Sequence, residues 1–186
     1  MRAQLAHQAA KLMAESGITD HAFAKRKAAR QLGADDTHHL PSNEEVDVAL
    51  QQYRALYQPD DHPSILRALR LEALHNMQLF SEFRPYLTGS VLSGSAGEYS
   101  DINLMVFSDD VKAVLLFLLK NKVEFDSGEW RLRINGREES VPSYTLTAES
   151  GIQTHIVVLP ESARFSGGRH PQTHADAVAV EALLAG

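Results

Sequence analysis

Hydrophobic positions in the first part of the chain recur at helical spacing. Residues Ala3 to Ser16 set Leu5, Ala9, Leu12 and Met13 on one stripe and stop at Gly17, which predicts a helix. Asp20 reads as the cap of a second helix, His21 to Leu32, closed by Gly33. Ser42-Asn43-Glu44-Glu45 has the spacing of a capping box and opens a third helix, with Val46, Ala49, Leu50, Tyr53 and Leu56 on one stripe. Gln58 to Pro63 breaks the pattern. A fourth helix is expected from Ser64 to Phe83, carrying Ile65, Leu66, Leu69, Ala73, Met77 and Phe80 in register, with Pro85 stopping it.

From Tyr86 onward the period shortens to two. Tyr86 to Leu92 is expected to be a strand, Ser93 to Ser100 a small-residue loop, and Asp101 to Phe107 a strand of alternating polar and apolar residues. Asp109 to Lys120 reads as a helix with acids in its first turn, and Val123 to Asp126 would complete a strand-helix-strand unit. Glu129 to Ile134 and Ser140 to Thr147 alternate on either side of Asn135-Gly136, a hairpin signal. Ile152 to Leu159 should be a strand in a buried sheet position, since its end is apolar. Glu161 to His174 reads as loop and Asp176 to Leu184 as a short helix. The expected fold is therefore α/β (α+β), with a helical region 1–84 packed on a mixed sheet in 85–160 and a tail over 161–186.

Composition narrows the class. The chain has 186 residues, 44% of them hydrophobic, enough to bury a core, and its formal charge is −6. It holds no cysteine, which excludes thiolate chemistry and Cys-ligated zinc. The longest apolar run, Ala113 to Leu119, stops at Lys120, so no membrane partner is expected; the opening residues form no secretory segment, and a cytoplasmic location follows as an expectation. Mild acidity argues against a broad nucleic-acid-coating surface. Lys25-Arg26-Lys27 with Arg30 is the densest positive cluster. It reads either as a solvated helix face or as part of a nucleic-acid-binding head built on two helices joined at Gly17.

The candidate chemistry lies between residues 88 and 104. Gly89 and Gly94 allow close backbone approach to an anion, and Ser90, Ser93 and Ser95 supply hydroxyl donors for phosphate oxygens. Asp101 and Asn103 fall on one face of the following strand, beside this turn. Gly89-Ser90, Gly94 and Ser100-Asp101-Ile102-Asn103-Leu104 in step resemble the motif of the nucleotidyltransferase superfamily (the DNA polymerase β-like fold). That motif is a Gly-Ser turn followed by an Asp-hydrophobic-Asp strand, with a third acid on a later strand. The resemblance covers roughly Tyr86 to Pro160, and this chain reads as a degenerate member.

The resemblance implies transfer of a nucleoside monophosphate from a nucleoside triphosphate to an acceptor, a protein or an RNA, assisted by Mg²⁺ or another divalent cation. Gly89, Ser90, Gly94 and Ser95 would bind the nucleotide, Asp101 and Asn103 would be catalytic, and Asp101, Asn103 and His155 would hold the metal. Asn103 stands where the family has its second acid, and His155-Ile156-Val157-Val158 matches the strand of the third. One carboxylate then replaces three, which weakens the hold on hard dications. A fold that keeps a nucleotide- or protein-binding role without catalysis is the alternative. Bland roles compete at each position: a strand-end carboxylate bonded to loop amides, a half-buried amide, and a satisfied histidine on an apolar strand. Lys112 and Lys120 read as solvated, and the pairs His38-His39 and His170/His174 lack acids to complete a metal site.

Overall fold

The computed structural model describes residues 1–34, 40–57, 62–134, 137–163 and 173–185. It is a mixed α+β protein with, among the described residues, seven α-helices and a five-stranded sheet. The chain forms two compact units, one of residues 1–66 with 94–100, the other of 67–93 with 101–186.

The first unit is helical: α1 is Arg2–Ser16, α2 is His21–Gln31 and α3 is Asn43–Tyr57. Its core joins Leu5, Ala9, Leu12 and Met13 to Ala24, Ala28, Val46 and Leu50, and its many alanines let the helix axes approach closely. Local chemistry sets the helix ends as the sequence predicts. Gly17 takes the left-handed conformation at φ 62°, and the Asp20 carboxylate accepts from the amides of Ala22 and Phe23. At the start of α3 the amide of Ser42 donates to Glu45 Oε2 at 2.6 Å, while the Glu45 amide donates back to Ser42 Oγ at 3.1 Å. Arg2 grips the same carboxylate and, with the Ser42 amide, holds Glu45 below its usual pKa, so acid weakens this cap by protonating it. The expected stripe of α3 is buried except at Leu56, which is exposed.

Segment 94–100 belongs to this helical unit. Ser95 Oγ donates to Asp47 Oδ1 at 3.1 Å, and Arg54 donates to the Ser95 carbonyl. Asp47 Oδ1 also lies 2.8 Å from His21 Nε2, and His62 Nε2 lies 2.9 Å from the Ala96 carbonyl. A Cβ at Gly97 would meet the buried Arg54 guanidinium, which would have to shift to make room.

The second unit carries the sheet. The helix α4, His62–Leu79, has residues 67–79 in it, followed by β1 (Tyr86–Thr88), α5 (Gly89–Ser93), β2 (Ile102–Phe107) and α6 (Ala113–Lys120). A hairpin of β3 (Asp126–Ile134) and β4 (Arg137–Thr147) comes next, then β5 (Gln153–Leu159) and α7 (Ala177–Ala185). Strand order is β1-β2-β5-β4-β3, with β2 and β5 parallel and the other pairs antiparallel. One face holds the fully buried Leu87, Ile102, Leu104, Val106 and Ile156, and α4 is tied to it where Asn76 Nδ2 donates to Thr154 Oγ1 at 3.0 Å. The apolar strand β5 occupies the sheet centre, as its composition predicts.

Three expectations are corrected. The strand from Tyr86 ends at Thr88, because Gly89 turns left-handed at φ 73° and residues 89–93 wind into α5, so Ser90 is helical. The helix expected from Asp109 starts at Ala113. The two acids shape the turn before it, Asp110 Oδ1 accepting from the Lys112 amide and Asp109 Oδ1 from that of Glu161. Val123 to Phe125 is not strand: the chain turns at Lys122 (φ 54°), and the two strands expected at 123–126 and 129–134 are one, β3. The parallel partner of β2 is therefore β5. The Asn135-Gly136 signal, His38-His39 and His170 lie outside the described residues.

Replacing Ser42 with Ala removes the hydroxyl that caps α3 and should lower stability by about 1 kcal/mol, read as a shift in the urea midpoint. An unchanged midpoint would mean that the cap contributes nothing.

Candidate functional site

The register of the sheet builds a single polar row. Thr88 on β1 pairs with Asn103 on β2, Asn103 with His155 on β5, His155 with Thr145 on β4, and Thr145 with Asp126 on β3. Directly paired residues share a face, so the row crosses all five strands on the face opposite Leu104 and Ile156. Thr88, Asn103, His155 and Thr145 are half-buried and Asp126 is exposed. Further along the same face the side chains become apolar and buried, with Phe107, Val141 and Leu159 in one cluster against which Met105 and Val157 pack.

Asp101 stands just before β2 and reaches into this row. Its Oδ2 lies 3.3 Å from His155 Nε2, and His155 Nδ1 lies 2.9 Å from Thr145 Oγ1. A carboxylate oxygen only accepts, so the pairing of Nε2 with Asp101 selects the tautomer with its proton on Nε2, in which Nδ1 accepts from the Thr145 hydroxyl. A directional chain results: Thr145 to His155 to Asp101. The side chains of His155 and Asp101 keep 30% and 42% of their exposure, which leaves both within reach of a ligand.

Gly89 closes the other side of the row. Its φ of 73° favours glycine, and a Cβ there would stand 3.3 Å from Asn103 Nδ2, so the bare backbone lets the amide of Asn103 lie against the turn. Ser90 follows in α5, where its carbonyl accepts from Ser93 Oγ at 3.3 Å. Gly94 (φ 83°) and Ser95 belong to the helical unit, and Ser95 is buried with its hydroxyl engaged by Asp47.

Of the residues singled out in the sequence, Asp101, Asn103, His155 and Gly89 thus come together on one sheet face. Thr145, Thr88 and Asp126 join them without having been expected. The alternation of residues 143–147 was visible in the sequence, but only the β4–β5 register reveals that Thr145 meets the histidine. Among the described residues no group of three or more His, Cys, Asp and Glu is placed to hold a metal ion. Asp101, Asn103 and His155 together offer one carboxylate, one amide and one imidazole, and the second carboxylate, Asp126, lies two strands beyond His155. That mixed set suits a single borderline cation such as Mn²⁺ or Zn²⁺ better than a pair of Mg²⁺ ions, which need several hard anionic ligands.

Comparison with known protein-family models and with curated proteins finds no match to this chain. No helix among the described residues is long and apolar enough to cross a membrane.

Gly89→Ala should destabilise the protein by about 1–2 kcal/mol, from the left-handed backbone and the crowding of Asn103. In the background of Asn103→Ala the crowding part disappears, so a double-mutant cycle by urea unfolding should give a favourable coupling. Strict additivity would contradict the contact.

Proposed function

We propose that this chain is a nucleotidyltransferase-like protein. It would bind a nucleoside triphosphate with a divalent cation on the polar row and transfer the nucleoside monophosphate to an acceptor hydroxyl on a protein or RNA. The observation that carries this reading is the 3.3 Å approach of Asp101 and His155, with Asn103 in register beside them and the bare Gly89 turn adjacent. Asp101, Asn103 and His155 would hold the cation, which when bound would neutralise phosphate charge during the transfer. Gly89, and Ser90 behind it, would offer their backbone to the phosphates once the Asn103 amide, which lies against Gly89, turns to the cation. Gly94 and Ser95, the two further positions expected of a nucleotide site, belong to the helical unit, where the Ser95 hydroxyl is committed to Asp47, and they take no part in this proposal.

His155 has a second capacity. Thr145 holds its Nδ1 and Asp101 its Nε2, so the imidazole is oriented as a base for a hydroxyl that displaces Thr145. The catalytically degenerate alternative, a nucleotide- or protein-binding module, is favoured by a different observation: the Thr145–His155–Asp101 chain is already satisfied and needs no cation to persist.

Labelled triphosphates incubated with Mn²⁺, the protein and a mixture of RNA and protein acceptors should yield pyrophosphate and an equal amount of nucleoside monophosphate joined to an acceptor hydroxyl, and Asp101→Ala and His155→Ala should each lower the rate at least about a hundredfold. Turnover with Mn²⁺ should exceed that with Mg²⁺, in keeping with an imidazole donor. Binding of the triphosphate without pyrophosphate release under any metal would select the degenerate module, and absence of both would refute the reading.

A further inference from the structure

The two edges of the sheet are finished differently. On the outer side of β1, Leu87 exchanges both backbone hydrogen bonds with Ala175, at 2.8 and 2.9 Å, so that edge is closed. The other edge is β3, nine residues paired to β4 without a bulge from Asp126 to Ile134. Among the described residues no backbone hydrogen bond is made on its outer side, and residues 126–131 are all exposed. Trp130, the only tryptophan of the chain, is 52% exposed on this edge. A long, regular, open edge with an exposed aromatic is a template for strand pairing.

Its charge pattern selects the partner. Charges on an edge strand normally keep other strands away, but here an acid and a base flank Trp130 symmetrically, as Glu129 and Arg131. Antiparallel pairing of β3 with itself, with Trp130 opposite Trp130, sets Glu129 of each copy against Arg131 of the other, giving two opposite-charge pairs. The same register puts Leu132 of one copy over Gly128 of the other, filling the space that glycine leaves. Leu132 packs within its own chain against the buried Phe107, Val141 and Leu159. Pro142, which has no N–H, stands opposite Glu129 on β4. A proline suits the pair that exchanges no hydrogen bonds, in which the N–H and C=O of Glu129 face outward, and there they can bond a second copy.

We propose that β3 is a homodimer interface at which two copies of this chain pair antiparallel about Trp130, joining their sheets into one of ten strands. The contact is isologous, so it closes at two copies and does not propagate.

The full chain should sediment as a dimer at about 100 μM and dissociate on dilution, as suits a small interface. Because the chain has one tryptophan, its emission should shift to the red as dimers separate. Glu129→Arg and Arg131→Glu each turn both cross-strand pairs into repulsions and should weaken the dimer about tenfold. Mixing the two variants makes both pairs complementary again and should recover a heterodimer, which a folding defect would not do. A monomer at that concentration would overturn the proposal. So would a dimer indifferent to either charge reversal, failure of the mixed variants to associate, or a tryptophan spectrum unchanged by dilution.

Discussion

Everything assigned to the open face of the sheet depends on the parallel register of β2 and β5. Asn103 sits opposite His155 because Leu104 is opposite Ile156 and Ile102 opposite Thr154 on the other face. A slip of one residue would bring Ile156 out to solvent and turn His155 in toward the core. Burying a side chain of this size stabilises by about 1.5–3 kcal/mol, and Leu104 and Ile156 are both essentially fully buried. The slip would also break the bond between Asn76 and Thr154. Packing on the closed face thereby fixes the polar geometry on the open one.

Electrostatics on the open face are spare. A single carboxylate, Asp101, faces a single imidazole, and the next acid in the row, Asp126, lies two strands beyond His155. Such a face cannot assemble two hard dications by charge alone, which is why the proposed chemistry turns on one borderline cation and on an imidazole. The same sparseness makes the hydrogen-bonded chain from Thr145 to Asp101 important: it holds the histidine in one tautomer and one orientation, a pre-organised state that either a cation or a substrate hydroxyl would have to displace.

Much of this was legible in the sequence where local chemistry decides structure. Gly17, Asp20 and the Ser42–Glu45 box set helix ends whatever the rest of the chain does, and the alternation in residues 101–107 and the apolar β5 mark real strands. Failures came where several signals coincide. The stretch after Thr88 looked extended because Val91 and Leu92 favour strands, yet a left-handed Gly89 redirects the chain into a helix. Asp109 and Asp110 looked like a helix start, but short acids also bind turn amides, and they do so here. On the polar row, Asp101 and Asn103 could be placed on one face from strand alternation, and His155 is singled out only through the motif resemblance. Thr145 and Asp126 could not be placed there, because a cross-strand neighbour is defined by register and no linear spacing encodes it. Ser95 shows the reverse: a hydroxyl in a small-residue loop reads as a phosphate donor, yet it is buried and its partner is Asp47.

The most direct measurement is ¹⁵N NMR of the His155 ring, in the free protein and after adding Zn²⁺ with a non-hydrolysable nucleoside triphosphate. The Nε2-protonated tautomer is expected in the free protein, with that proton lost when cation and nucleotide are added together and no such change in Asp101→Ala. A His155 ring indifferent to saturating cation and nucleotide, or protonated on Nδ1 at the outset, would contradict that expectation.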